Sequence, residues 1–307
     1  MKKKKAVKIT VYILLAFLLI GGTYGFIVYQ SLKSAVKTMH EPIERETIKR
    51  SDPVTFKEKD PFSVLLLGTD STGEKGRTDT IIVLTVNPNT DSVHMLSIPR
   101  DTRTEIMGLG YEDKINHAHA FGGVEMAMDT VENFLDIPID YYMKINMEGF
   151  KDIVDAVGGV TVTNTLDFSV GNTHFPVGEI TLNGEDALAY SRMRKEDPNG
   201  DFGRNTRQRQ IIQAVIKEGA SLSSITNFSD IFQALGTNIK TNLTFDEMVS
   251  IQKHYKSVAG NVQQMQMSGT GTMINSIYYL QISAEEQQRV QKELKAQLEL
   301  DSATAQN

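Results

Sequence analysis

The chain has 307 residues, 40% of them apolar and 23% charged, and no cysteine. That balance excludes a wholly disordered chain and a multi-pass membrane protein, and the missing thiols exclude disulfide scaffolds, thiolate zinc sites and cysteine nucleophiles. With 32 Lys+Arg against 38 Asp+Glu the net charge is −6, which argues against a nucleic-acid partner, whose binding rests mostly on phosphate neutralisation.

Residues 9–29 carry no charge, a run as long as the ~20 residues a helix needs to cross the hydrocarbon core. Lys2, Lys3, Lys4, Lys5 and Lys8 precede it, and only Lys33 and Lys37 follow closely. The asymmetry predicts a cytoplasmic tail (1–8), a single-pass type II anchor (9–29) and everything else outside. A signal peptide is the rival, but its apolar core is usually only ~7–15 residues and ends in a small-x-small cleavage site. The tail is too short for any folded reader of DNA. Without those five lysines the remainder has 27 cations against 38 anions, a net −11.

Residues 30–60 are polar, contain Pro42 and Pro53, and read as a stalk. From 61 to about 300 the pattern suits one α/β domain with a large core, and 301–307 read as a flexible tail. Strands are predicted at 62–67, 80–86 and 93–98, the last two joined by the turn sequence Asn87-Pro88-Asn89-Thr90. Helical spacing of Val124, Met128, Val131 and Leu135 predicts a helix over 123–135. A strand at 141–145, a helix at 148–157 stopped by Gly158-Gly159, and a strand at 160–162 follow. Ser283 and Glu286 predict a capping box opening a helix to about 298. Strands alternating with helices predict an α/β sandwich with a mixed sheet.

Four clusters carry the chemistry. Asp70 follows the first strand and Asp79 precedes the second, so both carboxylates can lie at one end of two neighbouring strands. That pairing suits a hard cation such as Mg²⁺; the competing reading makes Asp70 a turn residue and Asp79 a cap. In Ser97-Ile98-Pro99-Arg100-Asp101 a strand ends and presents Arg100 and Asp101 at its mouth, where α/β sheets bind ligands, or else a local surface ion pair. Lys114-Ile115-Asn116-His117-Ala118-His119 offers His-x-His to zinc but no third ligand nearby; Lys114 as a point charge for phosphate is the better reading.

The fourth cluster is the strongest. Arg192, Arg194, Lys195, Arg204, Arg207 and Arg209 fall together against Glu196, Asp197 and Asp201. An extended backbone at 192–194 would aim both arginines one way and Met193 the other. In the following helix, Ile211, Ile212, Val215 and Ile216 form the apolar face, and Arg204 and Gln208 fall on or beside it. Arginines that point inward from a first helical turn are costly unless an anion meets them. The alternative is salt bridging to the three neighbouring acids.

The segments LLLGTDS, GRTDTIIVLTVNP, LSIPRDT, DKINHAHAFGG, VGGVTV, LNGEDALAYSRMRKEDPNGDFGR and RQRQII, in this order over roughly 62–213, resemble the LytR-CpsA-Psr family of bacterial cell-envelope proteins. A weaker match, GTGTMINSIYYLQ, extends the likeness to 281. With the Lys-rich tail and single apolar run, the chain is most similar to the family's teichoic-acid transferases of Gram-positive bacteria. The resemblance implies an α-β-α sandwich with a central mixed sheet and an apolar tunnel for a prenyl chain. It implies a phosphotransferase that moves a glycopolymer, wall teichoic acid, from undecaprenyl diphosphate to peptidoglycan through a phosphodiester. By the family pattern Asp70 and Asp79 hold Mg²⁺, with Mn²⁺ the alternative metal. Arg77, Arg100, Lys114, Arg192, Arg194, Arg204, Arg207 and Gln208 contact the diphosphate or its sugar. Asp79, Arg100, Arg192 and Arg194 would carry catalysis, with Asp79 the candidate general base and Asp101 the alternative. Two other classes fit the same residues: a prenyl-diphosphate hydrolase using water, and a non-catalytic lipid-diphosphate-binding regulator of wall lysis.

Overall fold

The apolar run at 62–67 lacks polar alternation because its strand is covered on both faces. In the computed structural model, which describes residues 30, 33–34, 36–45, 49–50, 52–70, 76–221, 236 and 238–300, that strand is β1 (Phe62–Thr69). It pairs antiparallel with β2 (Thr78–Asn87), and β2 pairs with β3 (Ser92–Ser97) across the expected turn. A hairpin of β4 (Arg103–Ile106) and β5 (Tyr111–Lys114) leads into helix α1 (His117–Leu135). Next come β6 (Tyr141–Ile145), parallel to β1, and α2 (Met147–Ala156). β7 (Val160–Asn164) pairs with β10 (Gly178–Leu182) around the small hairpin β8 (Phe168–Val170) and β9 (Thr173–Phe175). Helices α3 (Gly184–Arg192) and α4 (Asp201–Ser221) precede β11 (Ile239–Thr241) and α5 (Phe245–His254). β12 (Val262–Gln266), the hairpin β13 (Thr270–Ile274) and β14 (Ile277–Gln281), and α6 (Ala284–Gln297) complete the described chain.

Six strands make the central sheet in the order β11-β6-β1-β2-β3-β12. It is mixed, because β6 and β12 join in parallel and the other neighbours are antiparallel. Alternate residues serve two cores. Leu65, Leu67, Val83 and Leu96 meet Val131 and Leu135 of α1 and Val290 and Leu294 of α6. Phe62, Val64, Ile82, Leu84 and Met95 face Leu243, Tyr255 and the α4 residues Ile212 and Ile216. This is the expected α/β architecture with helices on both faces of the sheet.

Several elements differ instructively from expectation. Helix α1 begins at His117, six residues early, and bends at Gly123 (φ 71°); only the part beyond the bend shows the regular apolar stripe. The Ser283 hydroxyl does accept from Glu286 N, but the Glu286 carboxylate turns to Ser268 and Arg289. The reciprocated capping box is Thr244 with Glu247, on α5. Residues 160–162 extend to a five-residue strand. The short strands after it leave no long apolar run to detect.

The stalk reading of 30–60 needs correction where the structure describes it. Val36, Met39 and Phe56 are buried, and His40 bridges to Thr241. Arg45 bonds Asp129 at 2.8 Å and Glu132 at 2.8 Å with only 5% of its side chain exposed, and Arg50 bonds Asp140 at 2.6 Å. The segment is polar because its cations are matched to acids of the domain, so it belongs to the domain. The predicted anchor at 9–29, the tail 1–8 and residues 301–307 lie outside the described residues. Among the described residues no helix is long and apolar enough to cross a membrane.

Candidate functional site

Between the β1/β2 face of the sheet and helices α4 and α5 lies a cavity of about 1000 Å³. Val64, Leu66, Ile212, Val215, Met248 and Ile251 are among its walls. Asp70, Asp79, Arg192, Arg194, Arg204 and Gln208 also line it. It is therefore an apolar chamber carrying a patch of charge, a form suited to an amphiphile with an anionic head.

The local folding explains how the charges converge. Gly68 pairs with Thr80 and Thr69 with Thr78, so β2 bulges and Asp79 has no opposite residue. Asp79 thus stands inside β2 rather than ahead of it, and the bulge turns its carboxylate to the strand edge. A Cβ on Gly68 would lie 2.8 Å from the Thr80 Cβ, so the close approach here requires glycine. Asp70 follows β1 at the same edge, and Arg100 follows β3, which runs parallel to β1 across β2. The Arg100 Nη1 donates to Asp79 Oδ1 at 2.6 Å, and Lys114 Nζ to Asp101 Oδ1 at 2.7 Å. Arg100 and Lys114 therefore stand one ion pair behind the carboxylates. Burial works against the Arg100 cation, but its bond to Asp79 and the charges of Asp79, Asp201 and Asp101 hold its pKa above the ordinary arginine value.

The arginines of the fourth cluster divide. Arg192 ends helix α3 rather than lying in an extended strand, yet Arg192 and Arg194 are exposed and Met193 between them is buried. Arg192 Nη1 touches only the Met147 sulfur, at 3.2 Å, among the described residues. Arg204, in the first turn of α4, is buried; its Nη2 donates to Asp201 at 3.0 Å and to the Asp79 carbonyl at 3.5 Å, while its Nε has no partner. Burial, together with the cations Arg100 and Arg194, holds the Arg204 pKa below the ordinary value against the pull of Asp201 and Asp79. A half-satisfied buried guanidinium among other cations is suited to meeting an anion. The competing salt bridges also exist, since Asp201 serves Arg204 and, at 3.7 Å, Arg194.

Arg207 is directed elsewhere. Its Nη1 bonds Asp197 at 2.6 Å, its Nε the Tyr190 carbonyl at 3.1 Å and its Nη2 the Met193 carbonyl. The guanidinium also lies over the Phe168 ring, 5.4 Å from its centroid. With its donors committed to the 193–197 loop, Arg207 is a structural strut and not a cavity residue. Arg77 is exposed and, among the described residues, makes no ion pair or hydrogen bond. His117 bonds Asp113 at 2.8 Å, and His119 is fully buried with Nδ1 2.7 Å from the Gly76 carbonyl. The two rings diverge, and no group of three metal-binding side chains occurs among the described residues.

Arg209 belongs to the fourth cluster, but the sequence pattern assigns it no role of its own. It is 2% exposed and bonds Gln264, Ser97 and Thr206 at 3.0–3.1 Å, with no carboxylate among its partners. It ties α4 to β3 and β12, which sets the rotation that brings Arg204 and Gln208 to the cavity. Asp70 and Asp79 provide hard oxygen donors for a metal. Among the described residues no third acid joins them in a metal-binding group, and a cation held by these two alone would take its remaining ligands from phosphate oxygens and water, a donor set that suits Mg²⁺.

Comparison with known proteins agrees with this architecture. The LytR_cpsA_psr family model matches residues 26–296. The polyisoprenyl-teichoic acid–peptidoglycan teichoic acid transferase TagU of Bacillus subtilis (strain 168) is 52% identical over 300 residues, covering 97% of this chain and 98% of that one. The crystal structure of B. subtilis TagU superposes with a TM-score of 0.65 at 55% identity, covering 78% of this chain and 97% of that chain. The structure of TagT bound to LI-WTA superposes with a TM-score of 0.74 at 34% identity, covering 84% and 99%. A family match over nearly the whole chain, with the sheet, cavity and charged mouth described above, makes this chain a member of the LytR-CpsA-Psr family.

Proposed function

We propose that this chain is a polyisoprenyl-teichoic acid–peptidoglycan teichoic acid transferase. It moves an anionic glycopolymer from undecaprenyl diphosphate to peptidoglycan, held at the outer face of the cell membrane by a single helix over 9–29 with the N-terminus inside. The observation that carries the reading is a single cavity that joins an apolar chamber to a mouth of arginines, one of which, Arg204, keeps a buried Nε without a partner. A prenyl chain is accommodated by the chamber, each buried CH₂ contributing about 0.8 kcal/mol. The diphosphate then meets Arg192, Arg194, Arg204 and Gln208, with Arg100 and Lys114 behind.

In the reaction a hydroxyl of the acceptor glycan attacks the phosphorus nearest the polymer's sugar. The new O–P bond forms as the bridging P–O bond to the second phosphorus breaks, and undecaprenyl phosphate leaves with the electron pair. Asp79 takes the hydroxyl proton, its Oδ1 fixed by Arg100. The arginines stabilise the charge that grows on the leaving phosphate, the principal means of catalysing phosphoryl transfer. Asp70 and Asp79 would hold Mg²⁺, which when bound neutralises phosphate charge and polarises the P–O bond. If Asp79→Asn and Asp101→Asn proteins both transfer at the normal rate in saturating Mg²⁺, the base assignment is wrong.

The test uses the full chain, radiolabelled undecaprenyl-diphosphate-linked precursor and nascent peptidoglycan, with and without Mg²⁺. Label is expected in peptidoglycan and is lost in Arg192→Ala and Asp70→Ala proteins. Precursor cleavage without incorporation would instead identify a hydrolase, and binding without either a regulator.

A further inference from the structure

The edge of the sheet that bears Asp70 and Arg100 continues beyond them. β12 runs parallel to β3, so its C-terminal end opens at the same edge, and the chain leaving it forms Ser268, Gly269 and Thr270. With strands about 4.8 Å apart, this point lies roughly 15 Å along the edge from the end of β1. There a second groove of about 480 Å³ is lined by Arg103, Glu112, Ser268, Thr270, Gln281 and Glu286, among others. It is coupled directly to the catalytic mouth. Leu280 N donates to the Asp101 carbonyl at 2.8 Å, Arg103 pairs across the β4–β5 hairpin with Lys114, and Lys114 Nζ lies 5.8 Å from the Tyr279 ring centroid.

The chemistry of the groove differs from that of the cavity. Its charges are already matched: Arg103 with Glu112 at 2.6 Å, and Glu286 with Arg289 at 2.7 Å. What remains for a ligand is neutral: the Thr270 hydroxyl and the Gln281 amide nitrogen, beside the Ser268 hydroxyl that already donates to Glu286 and the Ser283 hydroxyl that caps α6, with Ile282 the apolar side chain in the lining. Such a surface disfavours a lipid, which needs apolar walls, and a polyanion, which needs uncompensated cations; it suits a neutral polyhydroxylated ligand. The floor is closely packed, since a Cβ on Gly269 would stand 2.7 Å from the Gln281 carbonyl oxygen and 2.7 Å from Ile282 Cδ1, so glycine here lets the chain leaving β12 lie directly against the end of β14.

We propose that this groove is the subsite for the glycan strand of the acceptor, holding sugar residues beside the one whose hydroxyl attacks at Asp79. The inference rests on the transferase reading and adds the place where the second substrate lies. A strand bound along the sheet edge would pass from the groove across Asp101 and Lys114 to the mouth, approaching the phosphorus from the side away from the lipid chamber.

The experiment uses the full chain in detergent micelles and a lipid-free linear fragment of N-acetylglucosamine and N-acetylmuramic acid repeats. Its Kd is measured by titration calorimetry for the wild type, Gln281→Ala, Gln281→Asn and Thr270→Val, together with the Kd for the lipid-diphosphate donor and the acceptor KM of transfer. Gln281→Ala and Thr270→Val should each weaken glycan binding and raise acceptor KM about 3–10-fold, the effect of one lost hydrogen bond. Gln281→Asn should recover part of the loss, and donor Kd should stay at the wild-type value. A wild type that does not bind the fragment, or variants that bind it as the wild type does, would overturn the inference. Should the fragment bind through Gln281 while no label is transferred, the transferase reading fails and the groove stands on its Kd alone.

Discussion

Arg204 and Arg207 sit three residues apart on one helix and do opposite things. Arg204 keeps a buried Nε without a partner and has its charge disfavoured by burial and neighbouring cations, an arrangement that favours ligand binding at the expense of the empty fold. Replacing it should therefore separate activity from stability. Arg204→Met is expected to lower transfer by about 10²-fold or more while leaving the melting temperature unchanged or higher. A variant that loses both would show that Arg204 is holding the fold. Arg207 has the reverse character. Burial raises the Asp197 carboxyl, yet the bond from Arg207 and the Asn199 N–H outweigh it and hold that group below its usual range. A Cβ on Gly203 would lie 1.8 Å from the Asp197 Oδ2, so even the helix surface is shaped around this pair. Arg207→Met leaves a buried carboxylate unpaired and should destabilise by about 3–5 kcal/mol in urea unfolding.

At the scale of elements, the stripe on α4 was readable, because Ile211, Ile212, Val215 and Ile216 follow helical spacing. What they face was not. An apolar stripe against a core and one against a chamber are the same pattern, and the difference is the absence of a partner across about 1000 Å³. For the same reason spacing could not separate Arg204 from Arg207: which turns to the cavity and which to the 193–197 loop depends on how Arg209 fixes the helix on β3 and β12. The convergence of Asp70, Asp79 and Arg100 was legible from residues at strand ends. The bulge that places Asp79 was not, since it is a property of the β1–β2 register. The chamber yields a prediction of its own. Adding bulk to a packed core typically costs about 1–3 kcal/mol, but Ile212→Trp should fill existing space. Its melting temperature should hold while affinity for a long-chain prenyl donor falls about 10²-fold and affinity for a short-chain analogue changes little. Equal losses for both donors would mean that the chain does not occupy this chamber.

For the whole molecule, acidification should act through buried imidazoles. Burial, supported by Lys144, holds the His119 pKa below its ordinary value against the Gly76 carbonyl, and burial does the same to His94 against Glu293 and Gln263. Below about pH 6.5 the unfolded chain takes up protons that the folded one refuses, so this stability is complete above that pH and lost below it. The urea midpoint should fall between pH 7.5 and 5.5, and His119→Gln should narrow the difference; identical midpoints in the wild type would refute this. The segment docked through Arg45 and Arg50 acts at the same scale. Among the described residues, 30, 33–34 and 36–39 are helical and Val36 is the first buried one; the seven residues from Tyr29, the end of the apolar run, to Val36 would reach at most about 25 Å even if fully extended. On the proposed topology this is a short leash, and the domain cannot roam through the thickness of the wall. So anchored, it would patrol a plane, meeting its donor by lateral diffusion and only the innermost glycan strands as acceptors. Polymer added in that layer would travel outward as newer strands are laid beneath it, so its depth in the wall would record when it was attached.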